Sequence, residues 1–132
     1  MLTKVPARLP PEQELKVYQT IGCAIRVHKA LGPGFSEGIY HDAMRVELTR
    51  SKIPWRSDLV VDVFYQGEPL RRQKLDLVVY DLIVLELKTV DRFHPIHTQQ
   101  ILSYMKAAGL PVGLLINFET TWLKGSIKRF VL

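Results

Sequence analysis

Residues Lys74 to Lys88 read KLDLVVYDLIVLELK, and the way this stretch divides by parity decides the fold. The odd positions, Leu75, Leu77, Val79, Asp81, Ile83, Leu85 and Leu87, are apolar except at Asp81. The even positions are Lys74, Asp76, Val78, Tyr80, Leu82, Val84, Glu86 and Lys88. A strand turns successive side chains to opposite faces. The stretch is therefore predicted to be a hairpin, greasy on one face and charged at the open end of the other. With the turn centred on Asp81, Asp76 stands opposite Glu86, and directly opposed residues lie roughly 4.5–5.5 Å apart at Cα. Two carboxylates that close repel unless a cation sits between them. Lys88, two residues beyond Glu86, points to the same side. An Asp, a Glu and a Lys converging on one sheet face suit metal-assisted phosphodiester cleavage.

Upstream of the hairpin the period is helical. Residues 1–11 read as an irregular leader, and a first helix is predicted from Glu12 to Leu31, with Pro11 at its start and Gly32, Pro33 and Gly34 ending it. Its buried stripe is expected at Leu15, Tyr18, Ile21, Ile25 and either Ala24 or His28. A second helix is predicted over Ser36–Ser51, with Ile39, Ala43, Val46 and Leu48 as core and Glu37, Tyr40 and Met44 on an adjacent line, so that Glu37 and Tyr40 share a face. The period then becomes two. A strand should reach Tyr65, turn at Gln66-Gly67 and resume near Leu70. Beyond Arg92 a third helix should run from His94 or Pro95 to Ala108, stopped by Gly109 and Pro111. The apolar run VGLLINF, Val112–Phe118, reads as a buried strand, and Ile127–Leu132 as an edge strand. The order ααβββαββ implies an α/β (α+β) class, a mixed sheet flanked by helices.

Bulk properties narrow the field. A chain of 132 residues, 47% of them hydrophobic, fits one domain over residues 12–132 and buries about two-thirds of its unfolded surface. Its net charge of +5 mildly favours a polyanionic partner. The charge is not blocky: Arg71, Arg72 and Lys74 form the nearest thing to a cluster and read equally as phosphate contacts or a solvated strand end. The single cysteine, Cys23, excludes an internal disulfide, reads as a small core residue, and makes a reducing cytoplasm the natural compartment. No apolar run approaches the roughly 20 residues of a membrane span. Pro6, Pro10 and Pro11 leave no signal-peptide core.

Several residues carry chemistry only as a group. Glu37 by itself is a first-turn acid that complements the helix macrodipole, and Gly34 by itself is a turn glycine. In the third helix His97, Gln100 and Tyr104 form a polar line beside the apolar Ile101, Leu102, Met105 and Ala108. Such a line is usually the solvent side, and a lone histidine such as His97 is more often a helix-surface or hydrogen-bonding residue than a metal ligand. Asp76, Glu86 and Lys88 could be an exposed ion-pair set. Val78 and Val84 on the same face argue for partial cover instead.

Taken together, Asp76 followed by Glu86-Leu87-Lys88 resembles the PD-(D/E)xK nuclease superfamily, whose core is restriction-endonuclease-like. Gln100-x-x-x-Tyr104 is similar to the QxxxY element of RecB-type members. Gly34-Phe35-Ser36-Glu37-Gly38-Ile39-Tyr40 matches GxxExxY, the signature that names one family within the superfamily. The flanking VHKALGPGF and HTQQILSYMKAAGLPVGLLINF also resemble that family, and the resemblance spans residues 15 to 131. It implies that Asp76 and Glu86, with Glu37, hold Mg²⁺ or Mn²⁺, that Lys88 is the catalytic lysine, and that Gln100 and Tyr104 support the site. Tyr40 is expected to pack against it. Leu75 stands where the superfamily's name has proline, a loosely kept position. The resemblance implies a metal-dependent nuclease whose partner is nucleic acid, DNA before RNA, acting alone, as a homodimer or with a protein partner. A non-catalytic nucleic-acid- or protein-binding module on the same fold, or a structural protein without metal affinity, would retain the fold without turnover.

Overall fold

The computed structural model describes residues 9–132. Its elements are α1 (Pro11–Leu31), α2 (Glu37–Arg50), β1 (Trp55–Tyr65), β2 (Glu68–Val79), β3 (Ile83–Lys88), α3 (Pro95–Ala108), β4 (Val112–Asn117) and β5 (Ile127–Val131), with a 3-10 turn at Leu123–Ser126. The expected order ααβββαββ is present. Of the leader expected over residues 1–11, residues 1–8 lie outside the described residues, and Pro11 is already helical. Among the described residues no helix is long and apolar enough to cross a membrane.

The strands lie side by side in chain order, antiparallel except for the parallel pair β3–β4. Parallel neighbours need a crossover, and α3 supplies it. Helices cover both faces of the sheet, as expected of a restriction-endonuclease-like core. On one face Leu77, Val79, Ile83, Leu85 and Leu87 pack under Val17 and Ala24 of α1 and Tyr40, Met44 and Leu48 of α2. On the other, Val78, Val84 and Leu115 pack under Ile101 and Met105 of α3. Covered twice, β4 is buried along its whole length, which is why its sequence is an unbroken apolar run. At the rim Arg129 of β5 grips Glu14 of α1 with two hydrogen bonds of 2.7 and 2.6 Å. That grip holds the Glu14 carboxyl at a pKa of about 2.

Which helical stripe faces inward differs from expectation twice. Of the expected α1 stripe, Leu15 and Tyr18 are exposed, Ile21 and Ile25 are half-buried against the core, and Ala24 and His28 are buried together with Val17, Thr20, Cys23 and Val27. Apolar residues occur nearly all round α1, so its period admits two faces. Thr20 can be buried because its hydroxyl donates to the Lys16 carbonyl at 2.9 Å. In α2, Ile39 and Val46 are exposed, while Tyr40, His41, Met44 and Leu48 are buried. Two partners waiting for Tyr40, the Gly32 carbonyl and the Phe118 ring, decide that orientation. Leu75 also departs from parity. It packs against α3 with Val78 and Val84 rather than with Leu77. The β1–β2 ladder pairs Ser57 with Leu77 and Leu59 with Leu75, and between those pairs stands Asp58 with a left-handed φ of 54°. Face alternation along β2 slips at that point, beside Asp76.

Candidate active site

The site begins where two strands part. The β2–β3 ladder holds at Val79–Ile83 and Val78–Val84 and extends no further. Its register confirms a turn centred on Asp81 and, continued, sets Asp76 against Glu86. Past that point β2 stays with β1, while β3 stays with β4 as far as the pair Lys88–Asn117. A fork opens between them, with one carboxylate on each arm. Closing the ladder there would press the two acids together in a partly dry place.

Glu86 is only 7% exposed. Among the described residues its carboxylate accepts no hydrogen bond, and its one ion-pair partner is the Lys88 ammonium, 4.0 Å from Oε2. Burial pushes its pKa up to about 7; the Lys88 charge opposes that rise, and the charges of Asp76 and Glu37 add to it. A buried carboxylate without donors is costly, which is why the group holds its proton so far above the ordinary glutamate range. Asp76 is half-buried on the opposite arm.

Two helices bring the remaining groups. Glu37 is the first residue of α2. The turn before it is fastened by Tyr40, whose hydroxyl donates to the Gly32 carbonyl at 2.5 Å and accepts from the Phe35 N–H at 3.3 Å. The Tyr40 ring stacks on Phe118, centroids 4.5 Å apart. Gly34, at φ 109°, adopts a backbone that side chains avoid. Gly34 and Tyr40 thus build the turn that presents Glu37. On α3, Tyr104 is half-buried, and its phenol is pushed up by burial and then by the negative charges of Glu86 and Asp76, which places it beside the fork. Gln100 lies one turn earlier on the same face, half-buried, its side chain bonded to nothing among the described residues. His97 accepts the His94 N–H at 3.1 Å and closes the first turn of α3. Its pKa is lowered by burial, then by Lys88 and His94. Gly113 of β4 lets α3 come this near: a Cβ there would meet Met105 Sδ at 2.5 Å and Ile101 Cδ1 at 3.0 Å.

Sequence reasoning passed over three residues. His41 and Arg45 line a cleft of about 280 Å³ together with Glu37, Gly38, Asp42 and Asp76. The available signal was their spacing, since Glu37, His41 and Arg45 recur every four residues on one helix face. Asn117 is buried and clips the chain that follows Lys88. Its amide donates to the Val90 carbonyl at 2.8 Å and accepts the N–H groups of Val90 and Glu119, both at 3.1 Å. A polar residue closing an apolar run was its signal. The basic cluster is largely accounted for elsewhere. Arg72 pairs with Asp62 at 3.1 Å and Lys74 with Asp58 at 3.5 Å across the β1–β2 hairpin. A larger groove of about 710 Å³, lined by Tyr18, Ile21, Ile25, Ile53, Tyr80 and Ile127 among others, contains none of the fork residues.

The donors suit a hard cation. Among the described residues no three His, Cys, Asp or Glu side chains converge into a ready-made cage. Mg²⁺ commonly takes only one or two carboxylates and completes its shell with water and phosphate oxygens. Asp76 and the hydrogen-bond-free Glu86 can supply that share.

A family model for the PD-(D/E)XK nuclease superfamily matches residues 14–130. No curated protein matches the chain, and no solved structure does.

Proposed function

Because the chain belongs to the PD-(D/E)XK nuclease superfamily, we propose that residues 12–132 form one divalent-metal-dependent nuclease domain that hydrolyses phosphodiester bonds in DNA. Glu86 carries this reading: a buried carboxylate with a pKa of about 7, no hydrogen-bond donor, one lysine at 4.0 Å, and Asp76 and Glu37 close enough to raise its pKa further. Gly34, Glu37 and Tyr40 support the GxxExxY family as its place within the superfamily. Asp76 and Glu86, with Glu37 beside them, would hold Mg²⁺ or Mn²⁺. When bound, the metal lowers the pKa of a water and offsets charge at phosphorus. Lys88, attached to the fork's inner arm, adds positive charge where the nucleophile and the phosphoryl oxygens meet. Gln100 and Tyr104 close the α3 side and reach toward the substrate backbone, while His97 fixes the start of their helix.

The decisive experiment offers supercoiled DNA, linear single- and double-stranded DNA and RNA to the protein with Mg²⁺ or Mn²⁺, beside its Glu86→Ala and Asp76→Ala variants. Metal-dependent cleavage lost in both variants is the expected outcome. Calorimetric titration with Mn²⁺ should show weakened binding in both. Because the cation competes with the proton on Glu86, Mn²⁺ affinity should fall by about tenfold per pH unit below about 7 and level off above it. A wild type that neither cleaves nor binds metal would leave the non-catalytic binding module as the reading.

A further inference from the structure

Beside the fork, two residues lining the α2 cleft have side-chain nitrogens that nothing among the described residues uses. His41 is 9% exposed, lines the cleft with Asp76, and leaves its Nδ1 buried and unbonded. One turn further, Arg45 reaches Asp42 through Nη1 at 3.0 Å, but its Nε is buried and equally unbonded. Neither Glu37 nor Asp76, both in the same cleft, accepts a hydrogen bond from them.

A buried donor without an acceptor costs about 1–3 kcal/mol; Arg45 Nε is one, His41 Nδ1 is a second in the tautomer that carries its proton there, and one acceptor arriving from outside would satisfy both. Arg45 Nε is always a donor, so a cation cannot be its partner. The cleft has room for several waters at about 30 Å³ each, enough for a phosphodiester group. Guanidinium and imidazole N–H groups are also suited to phosphate oxygens. The acids nearby would repel an anion until a cation at Asp76 offset their charge, so occupancy should depend on metal. We propose that His41 and Arg45 form a subsite for a backbone phosphate of the nucleic acid, one flanking the phosphate at the fork, and that they set where the strand lies on α2. This rests on the nuclease reading above. It makes His41 and Arg45 positioning residues.

The test is binding rather than turnover. Short single- and double-stranded DNAs, each with one phosphate replaced by a neutral methylphosphonate, are titrated by fluorescence anisotropy into wild type, Arg45→Gln and His41→Phe. Ca²⁺ is present, and the DNA is checked to be intact afterwards. Thermal melts show that the variants are folded, and Arg45→Lys serves as the conservative control. Wild type should lose roughly tenfold in Kd at one methylphosphonate position. Arg45→Gln and His41→Phe should be indifferent to that position, and Arg45→Lys intermediate. Variants that respond to every position as wild type does would overturn the subsite and leave the nuclease reading standing. A wild type that binds none of these DNAs would overturn the subsite and the DNA-directed nuclease reading together. The coupling in a protein that cleaves no substrate would sustain the subsite and remove the nuclease reading.

Discussion

One strand, β2, belongs to two hairpins that behave oppositely. Against β1 it pairs from Trp55–Val79 to Tyr65–Glu68, skipping only Asp58–Asp76 and shifting register between Asp62 and Phe64, around a two-residue turn in which Gln66 and Gly67 both adopt positive φ, the geometry that suits tight hairpins. Against β3 it pairs at Val79–Ile83 and Val78–Val84 and then separates. The difference follows what would face what. Along the first hairpin Arg72 faces Asp62, and Lys74 reaches Asp58, which stands in register with Asp76 at the one place where the ladder skips a pair of acids. Along the second, the next even-numbered pair would be Asp76 against Glu86, two acids, one of them buried. The first hairpin, where a lysine reaches the facing acid, pairs again beyond the skipped position and serves as scaffold. The second stays open, and the opening is where chemistry can be housed.

The sharpest test of that contrast is at the open arm. Lys88→Ala should lower cleavage by about 10²–10⁴-fold while calorimetric Mn²⁺ binding persists; an active variant would break the role given to Lys88. Next comes the strain stored at Glu86. Its carboxyl keeps its proton up to about pH 7 in the fold but releases it near 4.5 in the unfolded chain. As pH rises between those values the unfolded state loses the proton first, so folding stability declines, by about 3 kcal/mol in total. Glu86→Gln should therefore match wild type in urea melts near pH 4 and exceed it by about 3 kcal/mol near pH 8. Equal stabilities near pH 8 would mean that the buried acid is not strained. Gly113→Ala should cost about 1–3 kcal/mol, because the new methyl meets Met105 and Ile101. By lifting α3 it should also lower the pKa of Tyr104, read by ultraviolet pH titration. At the closed hairpin the effect should nearly vanish. Arg72→Ala should change stability by no more than about 1 kcal/mol, and a larger loss would show the surface pairs to be essential to the ladder.

Much of the fork was legible in the chain. The turn at Asp81 follows from a period of two, because pleat and register leave a strand little freedom; the direct pairing of Asp76 with Glu86 that the same period implied is not formed, since the ladder ends at Val78–Val84. The buried β4 was legible from length and flanks. The helices were less so. Leu15 and Tyr18 were as good a stripe as Val17 and Val27 until packing chose between them. Tyr40 faces the core because its hydroxyl and ring have specific partners, Gly32 and Phe118, that no helical period encodes. His41, Arg45 and Asn117 escaped for the same reason, since each acquires meaning from neighbours distant in sequence or from the want of one.

By itself, the sequence determined the order of elements, the α+β class and the three residues of the fork, because local periodicity and charge pattern act over a few residues. Only the tertiary structure decided which helix faces turned inward, where β2 and β3 part, that Leu75 changes sides beside the left-handed Asp58, and that Glu86 is dry enough to hold a proton near neutrality. Burial is a property of the assembled layers. It reaches each side chain through partners that the chain brings together only when it has folded.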